Sequence, residues 1–243
     1  MNKRQKLIAY AVKYSGDYNK IIKAINNNEK VSIDTSKYHA ITILDDIYPD
    51  NLKELTSPPI VLFYKGNINL INNEIVGIVG SREISSYGTF VTTKIVNELK
   101  NKYTLVSGLA LGVDACVHSN SLDKQTIGVI GCGIDYIYPK CNQYLYENMS
   151  KNHLIISEYP NATKPQKYYF PFRNRIISAL SKFVIVTQAK EKSGTMYTVN
   201  EALDLCRDIY VVPYRINDSD GDGCNSLIQQ GANILLLEDI KCL

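Results

Sequence analysis

Short apolar runs alternate with longer segments over most of the chain. Eight of these runs are rich in Val, Ile and Leu, and each is three to five residues long. Most are continuously apolar, which is typical of strands buried on both faces of a sheet. The predicted strands span residues 60–64, 75–79, 104–106, 126–130, 154–156, 184–187, 209–212 and 234–237.

Segments of helical length separate the strands from residue 75 onwards. Strand and helix alternation with buried strands predicts an α/β fold with a parallel, doubly wound sheet. Ligands of such sheets bind beyond the carboxyl ends of the strands, so the residues after each strand are the first candidates for function. The predicted helices span residues 87–101, 113–123, 142–151, 173–181, 195–206 and 223–231.

The first part of the chain has a different pattern. Apolar residues at helical spacing, such as Leu7, Ile8 and Ala11, predict one or two short helices that are interrupted near Gly16. We therefore expect a short N-terminal helical region over residues 1–39. A single α/β domain is expected over residues 40–243.

Composition narrows the function classes. Of the 243 residues, 45% are hydrophobic and 21% are charged, which is ordinary for a globular protein. No apolar run approaches the roughly 20 residues of a membrane span, and the basic N-terminus has no secretory leader pattern. The net charge of +3 permits a nucleic-acid partner without requiring one. We expect a cytoplasmic protein.

The cysteines do not indicate a metal centre. None of the six forms a CxxC pair, and the chain has three histidines. This argues against a zinc site, and a chain of this size needs no disulfides for stability. We expect reduced thiols and no bound metal.

Glycine-rich turns follow the first two strands of the regular region. Gly80, Ser81 and Arg82 could hold a phosphate at a helix N-terminus, although a tight turn with a surface arginine explains the same residues. The pattern is not GxGxxG, so dinucleotide binding is poorly supported. In the second turn, which contains Ser107 and Gly108, Asp114 could be a helix N-cap. We expect His118 to be structural.

Basic residues follow several other strands. Together with Arg82, the residues Lys140, Lys192 and Arg173 are expected at one rim of the sheet, where they would form an extended anion site. The segment 164–175 interleaves basic and aromatic residues, as proteins that bind single-stranded nucleic acid do. We expect one of Phe170 and Phe172 to be core. Glu158 is the clearest acidic residue at a strand end besides Asp114 and Asp135.

These stretches resemble the DNA-processing protein A family. The resemblance covers roughly residues 40–237, in the family's order and at its spacing. It is carried by eight motifs: Tyr48-Pro49, Gly77–Arg82 with Tyr87-Gly88, Ser107–Asp114 with His118, Gly131–Asp135 with Tyr138–Asn142, Ser157–Pro160, Phe170–Ile177, Ser193–Thr198 and Gly223–Ala232.

The resemblance implies an extended Rossmann-like domain that binds single-stranded DNA without catalysing a reaction. It also implies protection of incoming DNA in natural transformation, loading of the RecA recombinase and a homodimer. No cofactor is expected, and neither is the C-terminal winged-helix domain of many family members. The implied DNA-binding residues are Gly80, Ser81, Arg82, Ser107, Gly108, Lys140, Asn142, Arg173, Asn174, Arg175, Ser193, Gly194 and Thr195.

Two other functions remain open at the level of sequence. The same broad fold includes LOG-type nucleotide phosphoribohydrolases, which carry a catalytic glutamate in a GGxGTxxE turn. Thr198 stands at the glutamate position here, so the acid–base group of that reaction is missing. A sensor of a small nucleotide could use the same rim as single-stranded DNA would.

Overall fold

The computed structural model describes all 243 residues and contains one nine-stranded sheet. The strands lie in the order β1-β2-β6-β5-β4-β3-β7-β8-β9. They are β1 (Ala40–Thr42), β2 (Val61–Gly66), β3 (Ile75–Gly80), β4 (Thr104–Ser107), β5 (Thr126–Val129), β6 (Leu154–Ser157), β7 (Phe183–Gln188), β8 (Asp208–Val211) and β9 (Asn233–Ile234).

Seven adjacent strands, β3 to β9, run parallel, while β1 and β2 extend the sheet with antiparallel pairs. The predicted α/β class and mostly parallel sheet are confirmed. Strand β1 was not predicted because its three residues lie in an irregular segment. The last strand is shorter than predicted, because only Asn233 and Ile234 pair with β8.

Eight α-helices connect or flank the strands, and each predicted helix is present with shifted ends. The largest shift is in α6, which begins four residues earlier than predicted and so takes in residues 169–175 of the basic and aromatic segment. The helices are α1 (Lys3–Lys13), α2 (Tyr18–Asn26), α3 (Ser86–Leu99), α4 (Val113–Ser121), α5 (Gln143–Asn152), α6 (Tyr169–Leu180), α7 (Thr195–Asp204) and α8 (Asp222–Gln229).

The order of the strands creates a topological switch point between β3 and β7. From β3 the chain moves outward through β4, β5 and β6, and β7 then returns to the other side of β3. Right-handed crossovers in opposite directions place α3 and α7 on opposite faces. Their starting turns therefore diverge, which opens a crevice beyond the carboxyl ends of β3 and β7.

The N-terminal helices pack onto the sheet. Helix α1 begins with a capping box between Asn2 and Gln5, and Asp17 caps α2. The apolar faces of both helices join a buried cluster with Phe63 of β2 and Ile155 of β6. The short N-terminal region therefore shares its core with the α/β domain. No helix of the structure is long and apolar enough to cross a membrane.

Candidate nucleic-acid interface

An open groove of about 570 Å³ lies at the switch point. Its walls come from the turns after β3 and β7, the start of α4 and the first two turns of α6. Two acidic side chains, Glu83 and Asp114, line it. Five basic side chains also line it, so the groove attracts anions: Arg82, Lys167, Arg173, Lys190 and Lys192.

The turn between β3 and α3 is held by hydrogen bonds. The Ser81 hydroxyl accepts from the backbone N–H of Glu83 and donates to the Glu83 carbonyl. Gln188, at the end of β7, accepts from the backbone N–H of Ser85 and donates to the same Glu83 carbonyl. The Ser81 hydroxyl thus shapes the turn, while Arg82 projects from it without a hydrogen-bond partner in the protein.

Gly80 has a steric role in this turn. A Cβ on Gly80 would lie 2.6 Å from Cγ2 of Val113 and 2.8 Å from the carbonyl of Gln188. Glycine therefore lets the start of α4 and the end of β7 pack directly against the end of β3. Gly80 lines the groove by its backbone, as predicted for a glycine-rich turn.

The second glycine turn is mostly buried. Ser107 is inaccessible, and its hydroxyl lies 2.7 Å from the carbonyl of Ile78 and 3.0 Å from the Asp114 carboxylate. A side chain at Gly108 would overlap the Asp114 carboxylate and the Arg173 guanidinium. Ser107 and Gly108 therefore position these two charged groups and do not face the groove. Asp114 is the second residue of α4, and the N-cap is Gly112.

His118 is a structural residue, as predicted. Its ring is inaccessible and lies within hydrogen-bond distance of the Thr126 hydroxyl and the Gly108 carbonyl. Burial lowers the pKa of His118 to about 4. The imidazole is therefore neutral at physiological pH, and it ties α4 to β5 and to the glycine turn.

Arg173 carries a buried cation into the wall of the groove. It is 5% exposed, and one guanidinium nitrogen donates to the carbonyl of Val129 at the end of β5. The Nε atom is buried without a partner. Asp114 lies beside this guanidinium; burial raises the pKa of Asp114, while Arg173 and the Ser107 hydroxyl oppose that rise. The guanidinium lines the groove, so its positive charge favours an anion there.

An aromatic pair borders the same groove. The guanidinium carbon of Arg82 lies 5.3 Å above the ring of Phe170, and Tyr138 lies on another side of that ring at 5.6 Å between centroids. Tyr138 is 45% exposed and Phe170 is half-buried. The prediction that one of Phe170 and Phe172 is core is wrong, because both rings are half-buried and neither belongs to a core cluster. Phe172 lies against the guanidinium of buried Arg175, with 3.7 Å between the guanidinium carbon and the ring centroid.

The turn between β7 and α7 leaves polar groups open to the groove. Ser193 has a buried hydroxyl with no partner. No side chain caps α7, although the backbone N–H of Met196 donates to the carbonyl of Ser193. The N–H of Thr195, the first residue of the helix, has no partner of this kind. Asn174 lines the groove and donates to the carbonyl of Gly194, while Thr195 is buried as the first residue of α7.

Besides Ser107 and Gly108, three further predicted residues do not reach the groove. Arg175 is buried in a two-point ion pair with Glu158, so its charge is already neutralised. Asn142 is buried and donates to the carbonyls of Leu109 and Ala110, which fixes the second glycine turn. Lys140 is exposed at the start of a single turn of 3-10 helix and does not line the groove.

The groove includes two basic residues that were not among the predicted DNA-binding residues. Lys167 lies two residues before the start of α6, and Lys190 is the second residue after β7. Both could have been predicted as groove residues from their positions, because Lys190 follows a strand and Lys167 precedes a helix at the predicted rim. Gln188 was also missed, although a polar residue at the end of an apolar strand is a common sign of a turn-stabilising side chain.

The groove offers little for acid–base catalysis. Thr198, at the position of the hydrolase glutamate, is 2% exposed in α7 and lines the groove. Glu158 is neutralised by Arg175. The two acidic residues that line the groove are Asp114, beside Arg173, and Glu83, whose carboxylate is near Lys190.

The chain is similar to proteins of DNA processing. The family model for DNA recombination-mediator protein A matches residues 39–241. The DNA processing protein DprA of Bacillus subtilis is 44% identical over 207 residues, which is 83% of this chain and 70% of that protein.

Two solved structures extend this similarity to the fold. The X-ray structure of DprA from Streptococcus pneumoniae has a TM-score of 0.83 at 34% identity, covering 95% of this chain and 92% of the other. DNA processing protein A from Helicobacter pylori, whose structure describes a single-stranded DNA binding mode, has a TM-score of 0.77 at 34% identity. The alignment covers 85% of this chain and 96% of that one.

Proposed function

Because this chain belongs to the DNA recombination-mediator protein A family, we propose that it binds single-stranded DNA in the groove between β3 and β7. We further propose that it acts without catalysis: it protects incoming DNA and promotes loading of the RecA recombinase in the cytoplasm. The observation that carries the proposal is the combination of a basic groove with the Arg82 and Phe170 pair at its wall.

The polar groups of the groove suit a phosphodiester backbone. Arg82 and Lys167 supply exposed charge, and Arg173 supplies a buried guanidinium with an unsatisfied Nε. The uncapped start of α7, with the backbone N–H of Thr195, and the Ser193 hydroxyl add neutral donors. The positive charges and hydrogen-bond donors come from several turns. Successive phosphates of one flexible strand can therefore each contact a different group of the groove.

The aromatic side chains suit exposed bases. Phe170 and Tyr138 present rings beside the basic residues, and Arg82 offers a planar guanidinium over the same site. Bases can stack on such surfaces when they are unpaired, whereas a duplex keeps its bases stacked inside. This supports a preference for single strands, and it accounts for the mixed basic and aromatic composition of the segment before and within α6.

The groove volume also fits a single nucleotide, since pockets for small ligands span roughly 300–1,000 Å³. A nucleotide sensor is therefore the second candidate. The wide spread of basic residues favours a longer anion. Hydrolysis is disfavoured by Thr198, which cannot act as the carboxylate acid–base group of the hydrolases.

The free edge of the sheet at β9 carries exposed apolar side chains. Strand β9 is hydrogen-bonded on one side, to β8. Ile234, Leu236 and Leu237 at this edge are each about half exposed. Such an unprotected apolar edge is covered in many proteins by another chain. We assign it to a homodimer, in which each subunit presents one groove.

Fluorescence titration with labelled oligonucleotides tests this function. The protein should bind a single strand more tightly than a duplex of equal length, and a mononucleotide at matched phosphate concentration should compete poorly. Affinity should fall with salt, with a slope near −3 in log K against log salt if about four phosphates are neutralised. Equal affinity for duplex, or tight binding of the mononucleotide, would reject DNA-strand binding in favour of another ligand.

The role in recombination needs a separate measurement. Strand exchange by RecA on DNA coated with a single-strand-binding protein should start sooner when this protein is added, and bound DNA should resist nuclease. An unchanged lag would remove the mediator role while leaving strand binding in place.

A further inference from the structure

Lys190 lies between two carboxylates at the margin of the groove. Its ammonium nitrogen is 3.7 Å from Oε2 of Glu83 and 3.5 Å from Oδ1 of Asp220. The side chain of Lys190 is 46% exposed, and those of Glu83 and Asp220 are 88% and 41% exposed. The three charges thus meet where the turn after β3, the turn after β7 and the loop before α8 converge.

Hydrogen bonds fix the backbone segments that carry the two carboxylates. Glu83 sits in the turn that Ser81 and Gln188 fix through hydrogen bonds to its N–H and carbonyl groups. On the other side, the backbone N–H of Asp220 donates to the Asp218 carboxylate. The next acidic residue, Asp222, accepts from the N–H of Glu191 and so ties this loop to the turn that carries Lys190.

Both ion pairs are loose. Their nitrogen–oxygen distances exceed the 2.7–2.9 Å of a charge-assisted hydrogen bond, and solvent reaches all three side chains. Exposed pairs of this kind contribute little to folding stability. The two ion pairs matter for ligand binding instead. An ammonium group that contacts two carboxylates has less capacity to contact the oxygens of a phosphate, so the carboxylates compete with a bound phosphate for Lys190.

We propose that Lys190 is a phosphate subsite of the groove, and that Glu83 and Asp220 occupy it in the free protein. A phosphate of the bound strand displaces both carboxylates from Lys190. The two acidic residues therefore lower affinity and select against short anions, which offer too few other contacts to compensate for the displacement. This inference rests on the proposed binding of single-stranded DNA.

Competition for Lys190 and general charge repulsion of DNA have different effects on affinity. Removing any negative charge near the groove strengthens binding of a polyanion to some degree. If the carboxylates compete for Lys190, neutralising Glu83 or Asp220 should raise affinity more than neutralising a nearby carboxylate that makes no ion pair. Glu191 is the matched comparison, because it adjoins Lys190 in the chain, is exposed and neither lines the groove nor forms an ion pair in the structure.

The test measures oligothymidylate affinity at low and moderate salt for wild type and for Glu83→Gln, Asp220→Asn, Glu191→Gln and Lys190→Gln. Glu83→Gln and Asp220→Asn should each tighten binding about two- to fivefold at low salt, more than Glu191→Gln does. Lys190→Gln should weaken binding and make the salt slope shallower by about 0.7, the value for one phosphate. In a Lys190→Gln background, Asp220→Asn should lose its advantage over Glu191→Gln.

Three results would overturn the proposal. They are a gain in affinity from Asp220→Asn no larger than that from Glu191→Gln, an advantage of Asp220→Asn over Glu191→Gln that persists in the Lys190→Gln background, and a salt slope unaffected by Lys190→Gln. All require a wild-type protein that binds the oligonucleotide. A wild type that fails to bind it, with far-ultraviolet circular dichroism showing the folded state, rejects the proposed function and this subsite together. The two failures are therefore distinguishable.

Discussion

Arg175 and Glu158 form a two-point ion pair inside the protein, with nitrogen–oxygen distances of 2.5 and 2.7 Å. Both side chains are at most 5% exposed. The remaining guanidinium donors reach the backbone carbonyls of Ser57 and Phe172, and the Phe172 ring covers one face. The pair joins the end of β6 to α6, and therefore to the helix that carries Arg173 and Phe170 into the groove.

Arg175→Ala should destabilise the fold strongly, because it leaves the Glu158 carboxylate buried without a partner. Removing one partner of a buried ion pair lowers the free energy of unfolding by about 3–5 kcal/mol. Urea denaturation followed by circular dichroism measures this change in the free energy of unfolding. The matched control is Arg82→Ala, whose exposed side chain makes no ion pair and should leave the urea midpoint unchanged. Equal midpoints for the two variants would contradict the structural role of Arg175.

Arg82→Ala should weaken single-strand binding while the protein stays folded. The guanidinium projects into the groove from the turn after β3, and it lies over the Phe170 ring. Loss of one phosphate contact should make the salt slope shallower by about 0.7. Anisotropy titrations at three salt concentrations give both quantities. Wild-type affinity in this variant would show that the strand follows another path.

Phe170→Leu tests base stacking apart from charge. Leucine keeps apolar volume in the wall of the groove but removes the aromatic face. Stacking of one base on an aromatic ring contributes about 1–3 kcal/mol, so affinity should fall at least about fivefold, with little change in the salt slope. If the loss of affinity in Phe170→Leu is instead accompanied by a clearly shallower salt slope, Phe170 acts through electrostatics and not through stacking.

The strand ends were predictable because buried parallel strands leave a simple apolar pattern and their carboxyl ends share one edge. This reasoning located Arg82, Arg173 and the Ser193 turn at the groove. The family resemblance added Arg175, which is two residues from Arg173 on α6 and is buried away from the groove. One side chain faces the end of β5 and the other faces Glu158, and that difference depends on how the helix is rotated on the sheet.

Two other predicted DNA-binding residues, Ser107 and Asn142, were also misplaced for a reason that the sequence does not show. Ser107 and Asn142 have side chains that suit phosphate binding, yet both are buried and bonded to backbone carbonyls or to Asp114. A polar residue in a turn can serve either a ligand or the turn itself. The sequence carries no information on which, because the choice depends on groups more than 25 residues away, such as Ile78 and Leu109.

Acid should destabilise the protein through His118. Its pKa is about 4 in the folded state and about 6.5 in the unfolded chain, so the unfolded state takes up the proton first as pH falls. The stability associated with the neutral ring is present above pH 6.5. It is lost progressively towards pH 4, by about 3 kcal/mol.

Urea midpoints between pH 7.5 and pH 4.5 measure this dependence. His118→Gln should be less stable than wild type at pH 7.5, because it loses the contacts with Thr126 and Gly108. The difference should shrink as pH falls, since glutamine does not titrate. His39→Gln, at an exposed position, is the control and should follow wild type throughout. A constant difference between His118→Gln and wild type would mean that His118 is not the titrating group.

Replacing Leu236 and Leu237 with Glu should convert the proposed dimer to a monomer. Both side chains are half exposed just beyond β9 at the free edge of the sheet, where paired charges would oppose association of two copies. Leu44→Glu is the control, because Leu44 is equally exposed but follows β1 at the other edge. Sedimentation should give a dimer at micromolar concentration for wild type and Leu44→Glu, and a monomer for the double variant.

The dimer should also make binding depend on strand length. A strand long enough to enter both grooves gains a second, intramolecular contact at high effective concentration, so it should bind wild type at least about tenfold more tightly than a strand that fills one groove. The Leu236 and Leu237 double variant should lose this gain and keep the affinity for the short strand, because its own groove is unchanged. A length dependence that survives in the monomer would place the added contacts within one subunit. Loss of short-strand affinity would instead show that the sheet edge supports the groove itself.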